Sequence, residues 1–157
     1  MSLEHDIRSA EGYFELSMFE EALEEVKNLP EEYRSTPPML SIAGHSLLTL
    51  KRWKQALEIF SLLVQLSPTN PDGYLHAAFC LHELQKTAEA KEMLLVGAIH
   101  LKGNAVFYYN LACYECLLGN LDYAEELLEQ AMTMDAHFKT SWLSDPDLEP
   151  LRERFLK

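Results

Sequence analysis

The sequence predicts an all-α protein: an α-solenoid of about four helix-turn-helix repeats closed by a short C-terminal capping helix. Three observations carry this. Ala22, Ala56, Ala90 and Ala124 stand 34 residues apart. Ala10, Gly44, Ala78 and Ala112 keep the same step with small side chains, and Val26, Phe60, Leu94 and Leu128 keep it with apolar ones. A fixed period of this length marks a helical unit that buries its apolar face only by stacking on its neighbours. The period divides one expected domain, 1–157, into repeats at about 3–36, 37–70, 71–104 and 105–138, with a cap at 139–157.

Within each period apolar residues recur three and four apart, as one face of a helix requires. In the second unit Leu40, Ala43, Gly44 and Leu47 share a first helix, and Trp53, Ala56, Leu57, Phe60, Leu63 and Val64 form the stripe of a second. Lys51-Arg52 lies between them and Pro68 ends the unit. The third unit repeats the pattern with Tyr74, Ala77, Ala78 and Leu81, then Ala90, Leu94 and Leu95. The fourth has Tyr108, Leu111 and Ala112, a Gly119-Asn120 turn, then Leu121, Ala124, Leu127, Leu128 and Ala131. The small columns have a packing cause: two helices approach closely only where one presents Ala or Gly to the bulk of the other. In the tail, Ser144 and Asp145 are alternative N-caps before Pro146, and Leu148, Leu151 and Phe155 are placed to cover the last repeat.

These columns resemble those of the tetratricopeptide repeat family over about residues 4–136: large, small, large on the first helix, then small and large on the second. The fit is looser at Asp6 and Glu115, which stand in apolar columns, and at Pro30, which stops a helix early. Gly97 and Lys102 replace a usual alanine and proline. The resemblance implies a right-handed superhelix whose first helices line a concave groove for a peptide or helix of a partner. On that alignment the groove-lining residues are Phe14, His45, Leu48, Leu75, His76, Phe79, His82, Tyr109, Asn110 and Cys113. Asn110 is the candidate for a backbone-binding amide, since it donates and accepts at once. The lining is aromatic and neutral at its centre, which suits a partner with apolar anchors. The basic clamp that related repeats use for the acidic C-terminus of heat-shock chaperones is missing: Ile7, Glu11, Ser41, His45 and His76 hold the matching positions.

Bulk properties narrow the partner further. The net charge of −12 disfavours nucleic acid and anionic membranes, both of which are bound through Lys and Arg. Acid concentrates at the ends, with three Lys/Arg against ten Asp/Glu in 1–36 and four against ten in 105–157. No apolar run approaches the roughly 18 residues of a membrane helix, no signal peptide is visible, and three cysteines suit a reducing compartment. A cytoplasmic location is expected, and the acidic, proline-bearing tail resembles those that close many bacterial repeat proteins, which implies a bacterial source. Cys113 and Cys116 form a C-x-x-C spacing in mid-helix, where small buried fillers are expected in preference to a zinc or redox pair. Neither a catalytic motif nor a cofactor signature is present.

The expected function is therefore a non-catalytic adaptor, with no cofactor and no metal, that holds a peptide or helix of a partner protein. The alternative is a chaperone of the type III secretion translocator kind, which these acidic, short repeat proteins resemble in size. A monomer is favoured. The alternative is a weak homodimer through Tyr13, Phe14, Leu16, Met18 and Phe19, opposed by the surrounding acids.

Overall fold

A computed structural model describes residues 2–156, so both end residues of the expected 1–157 domain lie outside the described residues. Every regular element described is helical. The helices are α1 (Leu3–Glu15), α2 (Phe19–Lys27), α3 (Glu31–Arg34), α4 (Pro37–Thr49), α5 (Trp53–Leu66) and α6 (Pro71–Glu83). They continue with α7 (Thr87–Val96), α8 (Ala98–Leu101), α9 (Ala105–Leu117), α10 (Leu121–Met134), α11 (Phe138–Ser141) and α12 (Glu149–Phe155). The chain forms two compact units, Met1–Cys80 and Leu81–Lys157. Among the described residues no helix is long and apolar enough to cross a membrane.

In the first unit α1 pairs with α2, α4 pairs with α5, and α2 packs on α4. The helix starts follow local chemistry. Ser2 accepts a hydrogen bond from the His5 amide, and Pro37-Pro38 open α4 in the turn where missing N–H groups cost nothing. Ala10, Ala22, Val26, Leu29, Met39, Ile42 and Ala43 form a buried cluster, flanked by Leu3, Ile7, Tyr13 and Phe14. Pro30 does not continue α2; it caps the separate turn α3.

In the second unit α9 pairs with α10, α7 packs on α9, and α12 lies against both α9 and α10. Asn104 caps α9 by accepting from the Val106 amide. Gly97 ends α7 and is followed at once by the single turn α8, so the third repeat's second helix is broken where its alanine is missing. Glu115, out of place in an apolar column, is 1% exposed, and its carboxylate meets Lys91 Nζ of α7 at 2.7 Å and accepts from Asn120 Nδ2 at 2.6 Å.

All twelve column residues are buried, Ala22, Ala56, Ala90 and Ala124 completely. The reason for the small column is visible at Gly44: a Cβ there would lie 2.7 Å from Cζ of Phe60. A further feature keeps the period. Ser17, Lys51, Gln85 and Gly119, each 34 residues from the next, have φ of 59°, 59°, 64° and 91°. At each, two amides fold back on the helix just ended, as Ser17 N to Phe14 O and Met18 N to Tyr13 O, or Gly119 N to Cys116 O and Asn120 N to Glu115 O. This is the paired 5→2 and 6→1 bonding that closes a helix through one left-handed residue.

The tail settles its own cap. Asp145 accepts from the Asp147 amide ahead of a 3-10 turn at Pro146–Leu148. Leu148 and Leu151 are fully buried, whereas Phe155, expected to cover the repeat with them, is 57% exposed. It sits in the last turn of α12 with its ring edge against Trp142.

Candidate functional site

The residues expected to line a groove fall into two sets, one in each unit. In the first, Phe14, His45, Leu48, His76 and Phe79 are partly exposed, while Leu75 is buried. Phe14 meets Phe19 edge-on at 5.8 Å between ring centres, and Phe79 meets Trp53 at 5.9 Å.

His45 and His76 are brought together. Their ring centres are 4.3 Å apart, and both lie on Phe60, His45 edge-on at 5.2 Å and His76 stacked at 5.1 Å. Between them stands Asp72, in the first turn of α6. Its carboxylate is 3.2 Å from His45 Nε2 and 2.8 Å from His76 Nδ1, and it accepts from Ser41 Oγ at 3.0 Å. His76 Nδ1 also lies 2.9 Å from the Asp72 carbonyl oxygen. Burial alone would raise the Asp72 carboxyl, but the hydrogen bonds and positive charge of His45 and His76 outweigh it and hold the group far below the ordinary carboxylate range. For His76 burial acts downward, and the bonds to Asp72 outweigh it and raise the imidazole. Sequence reading missed Asp72 because its partner His45 is 27 residues away. The only signal was the i, i+4 spacing of Asp72 and His76, which puts them on one helix face.

In the second unit the expected lining faces the chain's own tail. Tyr109 is 9% exposed, donates to Asp145 Oδ2 at 2.6 Å and stacks on Phe138 at 4.3 Å. Cys113 is buried with Sγ 3.9 Å from the same oxygen, and His82 Nε2 lies 2.9 Å from Asp147 Oδ2. Arg152 locks this strap by donating to the carbonyls of Trp142 and Asp145, both at 2.7 Å. Asn110 is partly exposed. Burial pushes the Cys113 and Cys116 thiols up, and the charges of Asp145 and Asp147 add to it, so neither thiol is poised as a nucleophile. The Tyr109 phenol is raised as well, by burial first and then by its hydrogen bond to Asp145.

The Asp147 hydrogen bond raises His82 above its ordinary value against the effect of burial, with the charges of Glu83 and Asp145 in support. Its other nitrogen meets Thr87 Oγ1 at 3.1 Å, and its ring lies on Tyr114. A raised imidazole stabilises the docked tail fully below the unfolded value of about 6.5 and loses that contribution as pH rises through the higher folded value. Amide exchange in 142–156 is therefore expected to be faster at pH 8 than at pH 6 after correction for intrinsic rates. Asp147→Asn is expected to flatten that difference; equal protection at both pH values in the parent chain would refute it.

Helix pairs repeating every 34 residues, each closed by the same left-handed turn, have the architecture of tetratricopeptide repeats. Residues 47–108 match a tetratricopeptide repeat family model directly. No curated protein sequence matches the chain. Among solved structures the chain is similar to MamA protein at a TM-score of 0.82, with 17% identity over 98% of this chain and 86% of that one. It is similar to TTC0263, a thermophilic TPR protein of Thermus thermophilus, at 0.74, with 19% identity over 99% and 89%. It is also similar to YrrB, described as a TPR protein with an unusual peptide-binding site, at 0.73, with 18% identity over 86% and 70%. At these identities the likeness is one of fold.

Proposed function

We propose that the chain is a non-catalytic, cytoplasmic interaction module, a single domain of four repeats that holds a peptide or helix of a partner protein against its first helices. The observation that carries this reading is the set of partly exposed Phe14, His45, Leu48, His76 and Phe79 on α1, α4 and α6, an aromatic and largely neutral lining within a repeat fold. A structural neighbour with a peptide-binding site supports it. Apolar anchors on the partner would enter between such side chains, and the neutral lining would leave acidic and basic peptides undistinguished by charge. Tyr13 and Phe14 pack against the first unit's own core, which supports a monomer.

Leu48→Glu and Phe79→Glu place charge on this lining at positions already reached by solvent. Each is expected to abolish recovery of the partner from a cross-linked lysate while leaving the helical signal and melting temperature unchanged. Undiminished recovery with both would reject the assignment. The translocator-chaperone alternative makes a different demand: co-expression should keep an otherwise insoluble client in solution.

A further inference from the structure

The cluster on α4 and α6 has a composition that peptide binding does not require. Two imidazoles converge on a single carboxylate, and one nitrogen of His45, one of His76 and one oxygen of Asp72 all lie within 4.8 Å of one another. Two ring nitrogens and a carboxylate oxygen are the donor set of three-ligand zinc sites, whose fourth position is left to water. Bonds of about 2.0–2.1 Å in tetrahedral array would set ligand atoms roughly 3.3 Å apart, close to the 3.2 Å and 2.8 Å separations found here.

The surroundings suit an ion as well. Ser41 Oγ bonds the Asp72 carboxylate from outside, the kind of support that fixes a ligand's orientation. Phe60, fully buried, floors both rings. The three ligands are each about 28% exposed, which leaves one side open for entry and for a water. Asn70 accepts from the Asp72 amide and so fixes the turn that carries the carboxylate.

We propose that His45, Asp72 and His76 form a binding site for one zinc-type divalent cation on the first unit, separate from the cysteine-bearing second unit. Binding replaces the contacts between Asp72 and the two rings with bonds from their lone pairs to the metal; the proton on each bonding nitrogen leaves to solvent from a cationic ring, or is exchanged through solvent onto the other nitrogen of a neutral one. The set would discriminate against Mg2+ and Ca2+, which take larger shells of oxygen ligands.

The test is a titration of the chelator-stripped full chain with ZnCl2 against a chromophoric competitor. Uptake of one equivalent is expected, with no competition from a large excess of MgCl2. His45→Ala and Asp72→Asn should abolish that equivalent, Ser41→Ala should weaken it about tenfold, and Cys113→Ser with Cys116→Ser should leave it intact. Co2+ added to the parent chain should give visible bands of a four-coordinate nitrogen–oxygen site, a readout independent of any variant's folding. No zinc uptake, uptake unchanged by His45→Ala and Asp72→Asn, or uptake lost with the cysteines would each overturn the proposal.

Discussion

Phe60→Ala is expected to cost about 3–5 kcal/mol, the range for emptying the site of a buried aromatic ring. Phe60 is fully buried, and its ring fills the space that Gly44 leaves on the facing helix. It also supports both His45 and His76. The pairing with Gly44 makes the result separable from simple loss of area. Gly44→Ala in the parent chain drives a methyl into the ring and is expected to cost about 1–3 kcal/mol as overpacking. In a Phe60→Ala background the obstruction is gone, and alanine's helical preference over glycine, about 1 kcal/mol, should make the same change neutral or stabilising. Urea unfolding of the four proteins closes the cycle. Additive losses would show that the small column is not there to admit the large one.

The second large effect concerns Glu115, the one acidic residue buried among the described residues. Lys91→Met leaves the carboxylate of Glu115, 1% exposed, without its cation. Breaking a buried pair from one side costs about 3–5 kcal/mol. Lys91 itself is 27% exposed, so screening reduces this to about 1–3 kcal/mol. The double change Lys91→Met with Glu115→Leu removes both charges from a helix interface and should recover most of the loss, because Asn120, the remaining partner, is exposed and can turn to water. Thermal melts of the two variants decide it: a double variant no more stable than Lys91→Met would mean that the carboxylate is needed for its own sake.

The sequence made the packing legible because size is what the packing selects. Ala10, Gly44, Ala78 and Ala112 are small where helices meet, and every one of them is buried. Contacts made by polar atoms were less visible. Asp72 looked like one more acid at a helix start, since nothing local marks that His45 will reach it from another helix. Tyr109 and Cys113 occupy the positions expected to line a groove, yet their neighbour is Asp145 of the tail, 36 and 32 residues further on. Three of the four left-handed turns among the described residues carried no glycine to announce them.

Those turns also bear on ancestry. Ser17, Lys51 and Gln85 hold a backbone shape that an L-residue adopts at a cost of roughly 1–2 kcal/mol, while Gly119 holds it freely. Were each hairpin an independent solution, three would not share the costly one at the same step. A duplicated segment explains it: the copied backbone passed to every descendant, and the side chain at the bend drifted while the bend did not. The bend inside each hairpin is thus the most heritable part of this chain, and second helices exchanged there between repeats should keep their register.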